Sequence, residues 1–145
     1  KVIKEKDSSN INIDNIVFDT VEAYWVGFKL AFPEMFDPST ASQFNVLKAG
    51  PAEIMMKVLI SIYNLSLGGH RIGNMQSASV FGKILKPVLN KTKDINPNGE
   101  SVSGSELFFV GKKGSMGKYS NNAAKNDMAK LINVQIFQHF KLPTP

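Results

Sequence analysis

Asp14-Asn-Ile-Val-Phe-Asp-Thr-Val-Glu-Ala-Tyr-Trp-Val-Gly-Phe-Lys-Leu-Ala-Phe-Pro33 sets the fold class of this chain. Val17, Phe18, Val21, Trp25, Phe28 and Phe32 recur mostly three and four residues apart, the interval that gathers side chains on one face of an α-helix. Asn12 or Asp14 carries the side-chain oxygen that caps a helix start, whereas Ile13 between them does not. Pro33 has no N–H to donate, so it predicts the end of the regular ladder or a new turn. At helical spacing, Tyr24, Trp25, Phe28 and Phe32 read as core packing rather than as an aromatic binding pocket.

Outward from this segment the same logic predicts further helices. Phe36-Asp-Pro-Ser-Thr-Ala-Ser42 is rich in turn and capping residues. Gly50-Pro51 then opens a second helix with proline at its first position. Ile54, Met55, Val58, Leu59, Ile62 and Leu65 form its apolar stripe, and Gly68-Gly69 closes it. A third helix is expected from about Ser77, with Val80, Phe81, Ile84, Leu85, Val88 and Leu89 inward and Pro87 kinking or splitting it. Residues 92–105 read as an exposed loop, and Leu107 to Val110 as a short extended segment or a loop held by two phenylalanines. The last helix is expected from about Ser120 to Phe140, with Ala124, Met128, Leu131, Ile132, Ile136 and Phe140 inward. The fold class is mainly α: a small helical domain of three to four core helices with a Gly/Lys-rich loop before the last one.

Composition bounds what such a domain can do. At 145 residues it is one domain by length, and its apolar content of 43% suits a globular core. Absence of cysteine excludes disulfide scaffolds, thiolate metal sites and cysteine catalysis. No run approaches the roughly 18 apolar residues of a membrane span. The first ten residues lack the apolar stretch of a secretory signal, which leaves the cytoplasm as the default. Net charge is +5, and residues 111–145 alone hold six lysines against one acid, Asp127. A basic end of this kind attracts polyanions such as DNA, although solubility is a sufficient reason for it.

That charge is densest in Gly111-Lys-Lys-Gly-Ser-Met-Gly-Lys-Tyr119, with three glycines and three lysines directly ahead of the last helix. Free N–H groups at a helix start, lysines and glycines that admit a ligand to the backbone together predict an anion site. A P-loop is excluded, because Gly111 and Gly117 enclose five residues and Tyr119, not Ser or Thr, follows Lys118. What remains is phosphate contact through Lys112, Lys113, Ser115 and Lys118, with Tyr119 stacking on an unpaired base and Lys125 and Lys130 extending the basic face. Lys125 and Lys130 lie about 140° apart around an ideal helix, which favours backbone contact by the loop over a helix in a groove. His70-Arg71 after Gly68-Gly69 is read as a helix C-terminus, and His139 as a C-terminal charge on the last helix. Two distant histidines and scattered carboxylates suggest no metal site, no cofactor and no general acid–base pair.

Two stretches also resemble a known family. Ala23-Tyr-Trp-Val-Gly-Phe-Lys-Leu-Ala-Phe-Pro-Glu-Met-Phe-Asp-Pro38 and Phe44-Asn-Val-Leu-Lys-Ala-Gly-Pro-Ala-Glu-Ile-Met-Met-Lys-Val-Leu59 are similar to the C-terminal helical part of DGQHR-domain proteins. Gly114-Ser-Met-Gly117 resembles a late Gly-Ser-x-Gly element of that family. The resemblance implies a role in bacterial DNA-modification and phage-defence loci, as in DndB-like proteins. The signature Asp-Gly-Gln-His-Arg is absent here, since Gly68-Gly69 precede His70-Arg71. The expectation is a flexible tail or linker over residues 1–12 and a single helical domain over 13–145, the C-terminal fragment of a longer protein. Its expected function is non-enzymatic: DNA backbone binding within a modification or defence complex. The alternative is a helical interaction module that docks a partner subunit or the family's N-terminal domain, and it predicts an exposed apolar patch around the first two helices.

Overall fold

The structure, a computed structural model, describes the backbone of residues 2–143 and the side chains of residues 13–143. Its four α-helices are α1 (Val2–Ala31), α2 (Ala49–Leu67), α3 (Ala78–Lys91) and α4 (Asn122–His139). A mainly helical domain is thus what the chain forms. Helix α1 is helical through the stretch expected to be a tail, so neither Asn12 nor Asp14 marks its start. Its end is as expected: the helix stops at Ala31 and Pro33 opens a 3₁₀ turn over Pro33–Met35. Pro51 falls at the third position of α2 rather than the first, still within the turn whose N–H groups need no intrahelical acceptor. Gly69 takes φ +90 just beyond the Gly68 cap, a conformation that costs glycine nothing.

Helix α1 packs on α3, and α2 and α3 both pack on α4. The α1–α3 approach depends on glycine, since a Cβ at Gly27 would stand 2.5 Å from the Ala78 carbonyl oxygen. Phe28 sits at the middle of the aromatic core, stacked on Trp25 at 5.8 Å and edge-on to Phe36 at 5.5 Å and Phe108 at 5.6 Å. Tyr24, fully buried, crosses from α1 to α2 and donates its hydroxyl to the Met55 carbonyl at 2.6 Å. Ser77 caps α3 by accepting from Val80 N–H, and Pro87 does not split that helix. The carbonyl of Lys83, which loses its donor to Pro87, belongs to an exposed residue. Leu131 is a correction to the expected α4 stripe: it is 37% exposed, while Met128, Ala129, Ile132 and Ile136 are buried.

Between α3 and α4 the structure departs most from expectation. Residues 92–105 are not a plain loop: Lys93–Ile95 (β1) and Ser101–Ser103 (β2) pair antiparallel, with Asp94 opposite Val102. Asn96 holds the turn, its Oδ1 accepting from the N–H groups of Asn98 at 3.0 Å and Glu100 at 2.9 Å. Gly104–Phe108 follows as a 3₁₀ helix, and Phe109 makes a single bridge to Phe44 across which the two rings stack.

Candidate functional site

The Gly111–Tyr119 segment folds as two short 3₁₀ turns, Gly111–Lys113 and Met116–Lys118, gripped by the β1–β2 hairpin. Asn96 Nδ2 donates to the Lys113 carbonyl at 3.0 Å. Lys118 Nζ stands 3.3 Å from Asp94 Oδ1 and also donates to the Ile95 carbonyl. Tyr119 donates its hydroxyl to the other Asp94 oxygen at 2.5 Å. Burial, and then this carboxylate, push the Tyr119 pKa well above the usual tyrosine value. Gly114 lies so close to Phe109 that a Cβ there would meet its carbonyl oxygen at 2.1 Å. Ser115 is fully buried, and its hydroxyl finds no partner among the described residues.

These contacts divide the predicted phosphate set. Ser115 is turned into the core, while Lys118 and Tyr119 are engaged on Asp94. Lys125 is paired with Glu53 at 2.7 Å, a contact that holds the Glu53 carboxyl below its usual range. Nor is the start of α4 open, because Asn121 accepts from Ala124 N–H at 2.8 Å. Lys112, Lys113 and Lys130 stay exposed and without a carboxylate among the described residues. Lys112 and Lys113 share one turn, and Lys130, at the middle of α4, lines a cleft shared with α2 that neither of them lines.

His70 closes α2 as expected, its N–H donating to the Leu65 carbonyl at 3.1 Å. Its side chain and that of Lys130 line one cleft of about 660 Å³ between α2 and α4, an association sixty positions apart in sequence. No member of the Gly111–Tyr119 segment lines that cleft, so the loop and His70 do not form one site. His139 stands in the last turn of α4 as expected, where partial desolvation, and secondarily Lys91, lower its pKa. Among the described residues no cluster of three His, Asp or Glu could hold a metal, and no helix is long and apolar enough to cross a membrane.

A second feature is apolar. Helices α1 and α2 are bridged by Tyr24 but leave a groove of about 260 Å³ beside it, lined by Val17, Val21, Met56, Leu59, Ile60 and Tyr63. Thr20 and Asn64 complete the lining, which holds no charged residue. Val17 is 57% exposed and Ile60 58%. Ile13, one turn before Val17 on the same face of α1, is exposed, as are Ile16 and Phe18 to either side of that face. Thr20 at the groove is buried, with a hydroxyl that finds no hydrogen-bond partner among the described residues. The apolar residues of this face were legible in the sequence, but their exposure was not, because helical periodicity records a stripe and not what covers it. The chain matches no protein-family model, no curated protein and no solved structure.

Proposed function

We propose that this domain is a protein-interaction module that receives an apolar helix with basic flanks from a partner protein, in the groove between α1 and α2. The uncovered groove of Val17, Val21, Met56, Leu59 and Ile60 carries this reading, extended on the same face of α1 by the exposed Ile13. Laying an amphipathic helix into an apolar groove removes both faces from water, and residues at i, i+3 and i+4 of the incoming helix supply the contacts. Basic flanks follow from charge. Between Lys6 and Lys29 the chain has no basic residue, while Asp14, Asp19 and Glu22 fall within that interval. Of these, Asp14 shares the helical face of Val17 and Val21, while Asp19 and Glu22 turn to the α3 side beside Gln76 and Ala78. Asp14 is therefore the carboxylate that a basic flank meets, and opposite charge on the partner speeds encounter and fixes orientation.

The test uses two labelled amphipathic helices with one apolar face between them, flanked by lysine in one and by glutamate in the other. The lysine-flanked peptide is expected to bind in fluorescence anisotropy, more weakly as salt rises, and Ile60→Glu to remove binding without changing the circular dichroism. Equal binding of both peptides, or full binding to Ile60→Glu, overturns the reading. A concentration-dependent dimer that Ile60→Glu dissolves would assign the groove to a second copy of the chain instead.

A second reading rests on Lys112 and Lys113, which stay exposed and unpaired among the described residues: contact with DNA phosphates, in a DNA-modification or defence complex of the kind that the DGQHR resemblance implies. Two lysines on two phosphates contribute about −2 to the slope of log affinity against log salt. Lys112→Ala with Lys113→Ala is expected to flatten that slope by this amount for every duplex sequence, and an unchanged slope removes the reading.

A further inference from the structure

We infer that the cleft between α2 and α4 binds a small organic anion with an apolar body. The cleft differs from the groove in its chemistry and shares only Asn64 with it. About 660 Å³ in volume, the cleft is of the size that takes small molecules. Leu65, Val134 and Phe137 supply an apolar wall. Lys130 and His70 supply the only side chains there that can carry charge, and no carboxylate lines the space.

Lys130 differs from the lysines that the fold employs. Lys118 and Lys125 each hold an acid, at 3.3 Å and 2.7 Å, whereas Lys130 holds none among the described residues. An ammonium beside an apolar wall and away from carboxylates is a point charge for a carboxylate or a phosphate monoester. The His70 ring adds a donor, and the Asn64 carboxamide adds polar groups at the rim. Asn133 is held in place, its Nδ2 donating to Ser61 Oγ at 2.9 Å while that hydroxyl donates to the Lys57 carbonyl at 3.2 Å. One effect opposes an anion here: the cleft lies at the C-terminal, negative end of α2. That pole amounts to about half a charge and is screened by its caps, since Gly68, Gly69 and His70 N–H groups take the last carbonyls. The full charge of Lys130 outweighs it.

The test titrates the intact chain with phenyl phosphate, benzoate and the neutral benzyl alcohol, following the Asn64 and Asn133 side-chain amides and the His70 ring by NMR. At least one of the two anions is expected to shift all three saturably, with benzyl alcohol at least tenfold weaker. Tighter phenyl phosphate assigns a phosphate monoester, and tighter benzoate assigns a carboxylate. Lys130→Gln, at an exposed position that leaves the fold intact, is expected to weaken the anion about tenfold, the loss of one charge-assisted contact. Ile60→Glu is expected to leave this binding unchanged, which separates it from the groove. No saturable shift with either anion, equal affinity for benzyl alcohol, or full anion affinity in Lys130→Gln overturns the inference.

Discussion

The Gly111–Tyr119 segment and the Ile13–Val21 stretch of α1 have exchanged the places that their compositions suggest. The first is the most basic and glycine-rich part of the chain, yet Gly114, Ser115 and Met116 are buried and Lys118 and Tyr119 close on Asp94. The second is dominated by apolar residues, yet Ile13, Ile16, Val17 and Phe18 all face water. Residue type sets the free energy of exposure, about 25 cal/mol per Å² of apolar surface, but topology decides what stands opposite. Asp94 lies 25 positions before Tyr119, and the hairpin brings it there. Nothing in the described residues stands opposite Val17 and Ile60 except the groove they share. An apolar face left open where a charged segment is closed points to assembly as the use of the open one.

The hardest blow to this contrast would come from Gly114→Ala. Its Cβ would meet the Phe109 backbone oxygen at 2.1 Å and nitrogen at 2.7 Å, and backbone pinned by a bridge to Phe44 has no room to yield. A loss of about 3 kcal/mol or more is expected, a fall of roughly 10 °C in melting temperature. Gly111→Ala serves as its control, with open space around it and only a φ of +68 to strain. That change is expected to cost about 1 kcal/mol. Equal, small losses at both sites would mean that the segment is the loose loop its composition suggests, and the contrast would fail.

Tyr119→Phe probes the same closure with a smaller effect. It removes one hydroxyl from a carboxylate that is largely shielded, and about 1–2 kcal/mol is expected to be lost in urea unfolding at neutral pH. The sign of its pH dependence follows from burial and Asp94 raising the folded-state pKa above the unfolded value near 10.0. The tyrosine's contribution is fully present below that value and is lost as pH rises past it toward the folded pKa. Wild type is therefore expected to lose stability above about pH 10 more steeply than Tyr119→Phe. The decline that remains belongs to Tyr24, whose pKa burial also raises. Parallel alkaline limbs for the two proteins would detach Tyr119 from Asp94.

How far the sequence discloses all this depends on the distance between cause and effect along the chain. Pro33, Gly68-Gly69 and Ser77 act on their own turns, and the helix ends they predict are where the structure has them. The hairpin escaped because its strands are three residues long and mostly polar, with no apolar alternation to read, and because Asn96 organises the turn through three side-chain hydrogen bonds, and reaches Lys113 with a fourth, that composition does not announce. Leu131 was misplaced because it lies on the edge of the row formed by Met128, Ile132 and Ile136, and no neighbouring helix covers that edge. Candidate sites fare worse than helices. The pairing of Lys118 with Asp94, of Lys125 with Glu53 and the meeting of His70 with Lys130 all join residues far apart in sequence.

Two substitutions on the open face sharpen the comparison at its quiet end. Thr20→Val removes a buried hydroxyl that has no partner among the described residues and keeps the shape, so a gain of about 1 kcal/mol is expected in denaturant unfolding. A loss instead would show that the hydroxyl is satisfied and that this edge of the groove is already complete.

Ile60→Glu should change stability least of all. Its side chain is 58% exposed, so the charge it introduces is solvated and the native packing it forgoes is slight. A change within about 0.5 kcal/mol is expected. The same substitution sets a carboxylate among Val17, Met56 and Leu59, where an incoming apolar helix would have to desolvate it. Stability and docking therefore separate at this residue: a core position would lose the first, and an interface position loses only the second. A large drop in melting temperature for Ile60→Glu would mean that α2 needs this side chain for its own packing, and the uncovered face of α1 would then call for a different explanation from the one its exposure suggests.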